Sequence, residues 1–206
     1  MTLFTRRRLL KGFAAITGLT VLSRSAVAQV LTPSATEGPF YPNSSMRFDD
    51  IDNNLVKIKG KVEQAGGEII HLKGKILDRK GNPLAKHRIE IWQCDVNGRY
   101  LHSGDSRHDG YDNGFQGFGH DITDGNGNYR FTTIKPTVYP GRTPHIHVKV
   151  LDSDHELLTT QFYISGDKNN DNDGLYRRMS AEQAKSVSMV FVEHGNVVET
   201  NIDVIV

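Results

Sequence analysis

Hydrophobic and polar residues alternate with a period of two along much of this chain. The alternation is clearest over 145–150, where His, His and Lys occupy every second position and Ile, Val and Val lie between them. A period of two places the two sets on opposite faces of a β-strand, one apolar and one polar. Only 180–185 has a helical pattern. The same patterning predicts strands over 68–78, 86–93, 129–134, 145–151, 157–164, 188–193 and 197–206.

The segments between these strands carry the residues typical of turns and loops. Gly, Asn and Pro at 79–83 and at 125–127 predict tight turns. The stretches 101–119 and 165–178 are too long for hairpins and rich in Gly and polar residues, which predicts loops that line a site. Part of the second loop, 167–174, resembles a calcium loop in its Asp and Asn content. It lacks the Glu at the twelfth position and the flanking helices, so a solvated loop is expected.

Short strands separated by turns, with almost no helix, predict an all-β fold. Such patterns favour an antiparallel β-sandwich or a barrel. The expected fold is an antiparallel β-sandwich that resembles the transthyretin (prealbumin) type, with long active-site loops. The pattern Asp-x-x-Gly, which begins at Asp78 and again at Asp124, is typical of transthyretin-like sandwiches. Some of these are binding modules and not enzymes, so the fold alone does not decide the function.

The first 28 residues have the pattern of an export signal. The run Thr-Arg-Arg-Arg-Leu-Leu-Lys at 5–11 matches a twin-arginine signal, and an apolar stretch over 12–22 and the small residues Ala26-Val27-Ala28 follow it. Cleavage after Ala28 is predicted, which leaves 29–206 as one domain in the periplasm or outside the cell. The apolar run of about 11 residues is shorter than the roughly 20 that span a bilayer, so no stable membrane anchor is expected.

Composition narrows the classes of partner. The 206 residues have a net charge of +1 and 37 % hydrophobic content, as in an ordinary globular domain with a sizeable core. Basic residues are interspersed with acidic ones after the leader, so no nucleic-acid partner is expected. The one cysteine, Cys94, cannot form an internal disulfide and is predicted to be a small buried hydrophobe.

The candidate chemistry lies at 139–147, whose sequence is Tyr-Pro-Gly-Arg-Thr-Pro-His-Ile-His. This segment brings a phenol, a guanidinium and two imidazoles within nine residues. Because His145 and His147 lie two apart on a predicted strand, both side chains can reach one ion. Taken alone, a His-x-His pair is more often a pair of surface histidines on an amphipathic strand. The metal hypothesis therefore depends on the rest of the chain.

Other segments place this motif in a wider pattern. They are Thr-Glu-Gly-Pro-Phe-Tyr-Pro at 36–42, Trp-Gln at 92–93, Gly-Arg-Tyr at 98–100, Tyr-Arg-Phe-Thr-Thr-Ile-Lys-Pro at 129–136 and Thr-Gln-Phe-Tyr at 160–163. Together with the histidine motif they resemble the intradiol ring-cleavage dioxygenases, in particular protocatechuate 3,4-dioxygenase chains, over roughly 36 to 167. The resemblance implies a non-haem enzyme that uses O2 to cleave catechol-type rings between the two hydroxyl-bearing carbons, giving muconate-type diacids.

The resemblance also implies a metal and roles for individual residues. Four protein ligands to Fe(3+) are expected, and they are Tyr100, Tyr139, His145 and His147. Two phenolates and two imidazoles suit Fe(3+) better than copper, the competing metal. The resemblance further implies catalytic roles for three residues. Tyr139 would leave the iron and accept a proton when substrate binds, Arg142 would stabilise negative charge on the ring, and Gln161 would lie near this charge.

The residues alone leave two points undecided: whether the chain is an enzyme or a binding module, and how it assembles. A secreted transthyretin-like binding module without catalysis has the same strand and turn pattern, but it has no physical need for the four ligand candidates. The linker between Tyr139 and His145 is shorter than in protocatechuate-type chains, so a more open substrate pocket is expected. The residues leave undecided whether the chain forms a homo-oligomer or needs a partner chain, although all four ligand candidates lie on this chain.

Overall fold

The computed structural model describes residues 30–107 and 110–206. The predicted leader over 1–28 lies outside the described residues. No helix in the described part is long and apolar enough to cross a membrane. In chain order, the strands are β1 (Ile69–Leu77), β2 (Arg88–Trp92), β3 (Phe118–Ile122), β4 (Asn128–Ile134), β5 (His145–Asp152), β6 (His155–Ile164), β7 (Ser188–Met189), β8 (Val192–His194), β9 (Val197–Asn201) and β10 (Val204–Ile205). The helical elements are α1 (Ala181–Ser186) and the 3-10 turns Ser44–Met46, Asn170–Asn172 and Tyr176–Arg178.

Most of the predicted elements are confirmed. β1, β2, β4, β5 and β6 begin and end within two residues of the predicted segments. α1 begins after Ser180, whose hydroxyl accepts from the backbone N–H of Gln183, while the Gln183 side chain accepts from the N–H of Ser180. The predicted strand over 188–193 is wrong in extent, because it divides into β7 and β8. The segment 197–206 likewise divides into β9 and β10.

β3 is absent from the sequence prediction. Its polar residues His120 and Asp121 hide the period of two, and its first residues fall in the predicted loop over 101–119. The strand forms because its backbone pairs with β2 along its whole length. Tertiary pairing therefore overrides a weak local pattern here.

The strands form two sheets of five. In the first sheet, β1 pairs with β4 in the antiparallel sense and with β9 and β10 in parallel, and β8 lies next to β9. The second sheet has the order β3-β2-β5-β6-β7 and is antiparallel except for its β6–β7 pair. The predicted all-β sandwich is confirmed, although its sheets are mixed and not antiparallel throughout, and the transthyretin-type label is not confirmed. Parallel pairs arise because β7, β9 and β10 reach their partners through crossovers and not through hairpins.

The hydrophobic core lies between the inner faces of the two sheets. β5 contributes Ile146, Val148 and Val150, which are fully buried, as the period of two predicts. Neighbouring strands of the same sheet add Ile89, Ile91 and Phe162, and the first sheet adds Ile70, Leu72 and Phe131. Burial of apolar area here is the main stabilising contribution to the fold.

The polar face of β5 is buried as well, which the alternation does not predict. His145 and His147 are each 1 % exposed. The N-terminal segment 30–42 covers this face, and its Ala35 N–H donates to the carbonyl oxygen of Thr159 on β6. The candidate site therefore lies between the outer face of the second sheet and the N-terminal segment.

Candidate metal centre

His145 and His147 meet on the outer face of the second sheet, where their Nε2 atoms lie 3.1 Å apart. The Nδ1 of His145 lies 2.7 Å from the carbonyl oxygen of Thr143. Since a carbonyl only accepts, this Nδ1 carries the proton and Nε2 keeps an available lone pair. Cross-strand pairing places His147 between Trp92 on β2 and Gln161 on β6. β5 therefore presents two imidazoles to one point, as its period predicts.

Both imidazoles are held neutral by their surroundings. Burial lowers the pKa of His145 to about 4, and the neighbouring Arg142 guanidinium adds to this effect. Burial also lowers the pKa of His147 well below its ordinary value, with further contributions from His145 and Arg142. A metal ion binds the neutral form of imidazole. At neutral pH, neither histidine therefore has to release a second proton before an ion binds.

Tyr100 approaches the histidine pair from the turn that follows β2. The Asp95 carboxylate accepts hydrogen bonds from two backbone N–H groups of this turn. Gly98 adopts φ of +70° there, and a Cβ at this position would lie 2.4 Å from the carbonyl oxygen of Val138. Only glycine, which has no Cβ, fits so close to this neighbouring segment of the backbone. This close approach brings Tyr100 to the loop that carries Tyr139.

The two tyrosines and the two histidines converge. The Tyr100 and Tyr139 rings have centroids 5.4 Å apart. Tyr139 lies 5.6 Å from the His145 ring, and Tyr100 lies 6.1 Å from the His147 ring. Tyr100 is 2 % exposed, whereas Tyr139 is partly exposed. The cluster is therefore closed on the side of Tyr100 and open on the side of Tyr139.

The hydroxyl of Tyr100 tests whether a metal ion fits this cluster. It is buried with no hydrogen-bond partner among the described residues, and an unpaired buried hydroxyl is costly. Burial raises the pKa of this phenol well above its ordinary value, and Cys94 and Tyr139 add to the effect. A multivalent cation beside the oxygen would reverse that shift and satisfy the oxygen. The donor set thus fits a hard cation.

The phenolic oxygens are essential to such a site. The part of the chain that the structure describes holds no group of three or more His, Cys, Asp or Glu that could bind a metal. Two imidazoles alone do not complete a coordination shell, since protein metal sites use three or more ligands. An ion here would need Tyr100 and Tyr139.

Aromatic side chains and a glycine enclose these donors. Phe40 stacks on Tyr100 with ring centroids 4.6 Å apart. The Trp92 ring lies parallel to the His147 imidazole, at 4.8 Å and 9°. Gly38 adopts φ of +77°, and a Cβ there would lie 3.2 Å from Cε1 of His147. The N-terminal segment thereby excludes water from one side of the site, which strengthens electrostatic interactions inside it.

Arg142 and Gln161 form a hydrogen-bonded pair next to the donors. Arg142 Nη2 donates to Gln161 Oε1 over 2.6 Å, and Arg142 Nε donates to the Asp173 carboxylate over 2.7 Å. The same Gln161 oxygen accepts from the Tyr163 hydroxyl at 2.9 Å. Gln161 Nε2 lies 3.4 Å from His147 Nδ1. A positive charge is therefore held at a defined position beside the imidazoles.

The structure brings the predicted site residues into one cluster. They are Tyr100, Tyr139, Arg142, His145, His147 and Gln161. Three further contacts carry no predicted role, although their residues belong to the quoted motifs: Gly38, Phe40 and Trp92. The only sequence signal for a role of these residues is that a glycine and two aromatic residues occur inside long, ordered motifs. Nothing in the local pattern says that they touch the ligand candidates, because these contacts join segments far apart in the chain.

The interpretation of 167–174 as a solvated loop holds for positions 168, 171, 172 and 174, which are exposed, but two other residues of the segment are buried. Asn170 and Asp173 in this segment are 4 % and 1 % exposed. Asn170 pairs with Thr143, and Asp173 pairs with Arg142. The density of Asp and Asn is the signal for an ordered loop, since these side chains bond to backbone N–H groups in turns. The sequence of the loop does not predict its partners Thr143 and Arg142, which lie next to the histidines.

Sequence comparison finds similar proteins among known dioxygenases. A protein-family model described as "Dioxygenase" matches residues 36–195. The protocatechuate 3,4-dioxygenase beta chain of Burkholderia cepacia is 38 % identical over 125 residues, which cover 57 % of this chain and 53 % of that protein. The catechol 1,2-dioxygenase of Candida albicans is 30 % identical over 173 residues, which cover 70 % of this chain and 51 % of that protein. The chain spans about half the length of the curated relatives it matches.

Solved structures with a similar fold are dioxygenases too. The dioxygenase domain of a dioxygenase and carbohydrate-binding protein fusion from Streptomyces sp. SirexAA-E has a TM-score of 0.66 at 28 % identity, covering 86 % of this chain and 98 % of that chain. An intradiol ring-cleavage dioxygenase from Tetranychus urticae has a TM-score of 0.68 at 20 % identity, covering 86 % of this chain and 94 % of that chain. The second likeness supports the fold alone. The family match over 36–195 includes every predicted site residue.

Proposed function

Since the chain belongs to the intradiol dioxygenase family, we propose that it is a non-haem Fe(3+) enzyme for catechol-type substrates. It would use O2 to cleave the ring between the two hydroxyl-bearing carbons and give muconate-type diacids. The observation that carries this proposal is the convergence of two tyrosines and two histidines, with the Tyr100 hydroxyl lacking a partner among the described residues. The names of the relatives, a catechol 1,2-dioxygenase and a protocatechuate 3,4-dioxygenase chain, support the substrate class.

The ligand positions are assigned to Tyr100, Tyr139, His145 and His147. Two phenolates and two neutral imidazoles form a hard, anionic set that favours Fe(3+) over softer or less charged ions. The burial of Tyr100 supports the assignment, because a phenolate oxygen away from water needs a cation beside it. When bound, the ferric ion would supply a positive charge that lowers the pKa of the phenols and of a chelating catechol, and so activates the substrate.

Tyr139 is proposed to accept a proton when the substrate binds. A catechol must lose protons when its two oxygens chelate, so a nearby base is needed on the open side of the site. Tyr139 is partly exposed, whereas Tyr100 is 2 % exposed and covered by Phe40. Burial raises the pKa of Tyr139, with partial opposition from Arg142, so its phenolate is a good base once released.

Arg142 is proposed to stabilise negative charge on the substrate ring. Its guanidinium stays protonated throughout the working pH range. A fixed donor in a site that excludes water makes a large contribution to catalysis when charge develops next to it. Gln161 holds Arg142 Nη2 and faces His147, so its proposed role is to orient both groups.

The visible absorption spectrum of the purified protein tests this function. Spectra are recorded with metal analysis, before and after catechol is added without oxygen. Tyrosinate bound to Fe(3+) is expected to give a reddish charge-transfer band that shifts when catechol binds, and admission of O2 should then yield the ring-opened diacid. A protein that stays colourless after ferric reconstitution would contradict the proposal. The secreted binding-module hypothesis would then replace it.

The protein is further proposed to be exported by the twin-arginine route and to act in the periplasm or outside the cell. The pattern over 1–28 supports this location, because the route carries proteins that are already folded, and some of them carry a cofactor. The exported protein should begin at Gln29 on N-terminal sequencing. Replacement of the three arginines at 6–8 by lysine should retain the protein in the cytoplasm. Export of that variant at the normal level would argue against the route.

One kind of chain is proposed to be sufficient for the metal site, with a homo-oligomer as its assembly. All four ligand candidates belong to this chain, which supports independence from a second type of subunit. Light scattering on the iron-loaded protein measures the assembly, and iron content per chain measures completeness. Less than one iron per chain, restored by a second protein from the same source, would contradict the proposal.

A further inference from the structure

The carboxylate of Asp173 is held at one position by four hydrogen bonds. Its Oδ2 accepts from Arg142 Nε at 2.7 Å and from the backbone N–H of Thr143 at 3.1 Å. Its Oδ1 accepts from the backbone N–H groups of Leu175 at 2.9 Å and Tyr176 at 3.0 Å. The Asp173 side chain is 0 % exposed and the Arg142 side chain is 18 % exposed. The carboxylate therefore cannot follow the guanidinium if the guanidinium moves.

The loop around Asp173 is itself fixed to the second sheet. Asn170 Oδ1 accepts from the Thr143 hydroxyl at 2.7 Å, and Asn170 Nδ2 donates to the carbonyl oxygen of Ile164 at 2.8 Å. A buried amide with both ends paired cannot turn without losing a hydrogen bond. The loop consequently keeps one position relative to β5 and β6.

The guanidinium of Arg142 is held at two nitrogen atoms by this arrangement. Asp173 holds Nε, and Gln161 Oε1 accepts from Nη2 at 2.6 Å. Gln161 is held in turn by the Tyr163 hydroxyl at 2.9 Å, and the Tyr163 ring packs on Tyr176 with centroids 5.0 Å apart. A flexible arginine loses rotational freedom when two of its nitrogen atoms are held, so its remaining donors keep one direction.

We infer that Asp173 is a positioning residue, which fixes the Arg142 guanidinium beside the substrate ring and acts on the reaction only through Arg142. Its four hydrogen bonds go to Arg142 and to backbone N–H groups. They occupy the four lone-pair sites of a carboxylate, which leaves none for a substrate. The inference rests on the proposed function, because Arg142 needs a defined position only if an anionic ring binds next to it.

A double-mutant cycle tests the inference, with turnover of catechol, iron content, the charge-transfer band and the thermal midpoint measured for each variant. Asp173→Asn keeps the shape but loses the charge and turns an NH2 group toward N–H donors. It should lower kcat by about 10- to 100-fold, as loss of a supporting contact does. The KM, the iron content and the position of the band should stay near the wild-type values. Asp171→Asn, an exposed change in the same loop, is the matched control and should behave as wild type.

The cycle separates positioning from a general structural role. In the Arg142→Ala background, Asp173→Asn should change kcat less than twofold, because its only route to the reaction is already gone. An equal loss in both backgrounds would overturn the inference, as would wild-type kcat in the folded, iron-loaded Asp173→Asn protein. If that variant does not fold, Asp173→Glu decides, since it keeps the charge and displaces the guanidinium. About tenfold lower kcat is expected there, and wild-type kcat overturns the inference.

Failure of the proposed function would look different. The wild-type and Asp171→Asn proteins would then also be inactive with catechol, and anaerobic catechol would leave the spectrum unchanged. That outcome removes both proposals together. A loss confined to Asp173→Asn and Arg142→Ala supports both.

Discussion

The two faces of β5 are buried to the same degree but for different physical reasons. Ile146 and Val148 on the inner face are fully buried between the sheets. Their burial stabilises the fold through the hydrophobic effect. His145 and His147 on the outer face are each 1 % exposed. Their burial costs free energy unless their polar atoms are satisfied. One strand therefore carries stabilising contacts on one side and a costly polar cluster on the other.

The third polar residue of β5 makes the contrast sharper. Lys149 lies on the same outer face and is paired with Glu37 and Glu156. The two histidines, by comparison, turn their Nε2 atoms toward each other. On the outer face of β5, the lysine is thus paired with carboxylates of the same chain. The two histidines, nearer the start of the strand, face a common point instead. Lys149 therefore has its partners within the protein, whereas the histidine Nε2 atoms are directed at the position of the proposed ion.

His147→Ala should have the largest effect on the outer face. It removes one of four proposed ligands from a closed site, so iron should be lost along with the charge-transfer band. Activity should fall by more than the roughly 100-fold that loss of a supporting contact costs. Metal analysis and the visible spectrum check this outcome. His155→Ala, at an exposed position on β6, is the control. Full iron in the His147→Ala protein would refute the ligand assignment.

Tyr139→Phe should separate metal binding from proton transfer. The variant keeps the ring contacts and loses one oxygen on the open side, so some iron should remain. Turnover should fall by about 10²- to 10⁴-fold, which is the usual contribution of a positioned base. Tyr100→Phe is the matched comparison, and it should lose more iron because it removes the buried donor. Equal turnover in Tyr139→Phe and wild type would exclude Tyr139 as the base.

Arg142→Ala should keep the metal and its colour while the chemical step slows. We expect about 10²- to 10³-fold lower kcat, since a fixed donor next to developing charge is worth that much. KM should change little, and single-turnover kinetics would locate the loss in the chemical step. Arg142→Lys keeps the charge but loses the contacts at two nitrogen atoms, so its kcat should lie between those of Arg142→Ala and the wild type. Loss of colour in Arg142→Ala would instead give this arginine a structural role.

Local patterning predicts much of this fold, and its failures have a common cause. The alternation over 145–150 predicts both the strand and the direction of its histidines. It cannot predict that the polar face is covered, because the cover comes from the distant segment 30–42. The parallel pairs of β9 and β10, the strand β3 and the burial of Asp173 depend in the same way on partners far along the chain.

The candidate site shows the same limit. The spacing of His145 and His147 predicts that both side chains can reach one point, but not that an ion binds there. Tyr100 could be added only through the resemblance to a family, because no local pattern links it to the histidines. The roles of Phe40 and Trp92 needed the structure, since ring contacts between remote segments leave no periodic signal.

Ile146→Ala should show the reverse of these effects, because it changes the inner face of β5 and not the outer one. Ile146 lies between the two histidines in the chain, but its side chain faces the core. Its truncation should lower the free energy of unfolding by about 2–5 kcal/mol through lost apolar contact and a cavity. Iron content and kcat of the folded protein should stay within twofold of wild type. Denaturant unfolding measures the loss of stability, and metal analysis with a turnover assay measures the iron content and kcat. If folded Ile146→Ala protein lost its iron, the faces of β5 would not be independent, and burial on the outer face would depend on packing of the inner one.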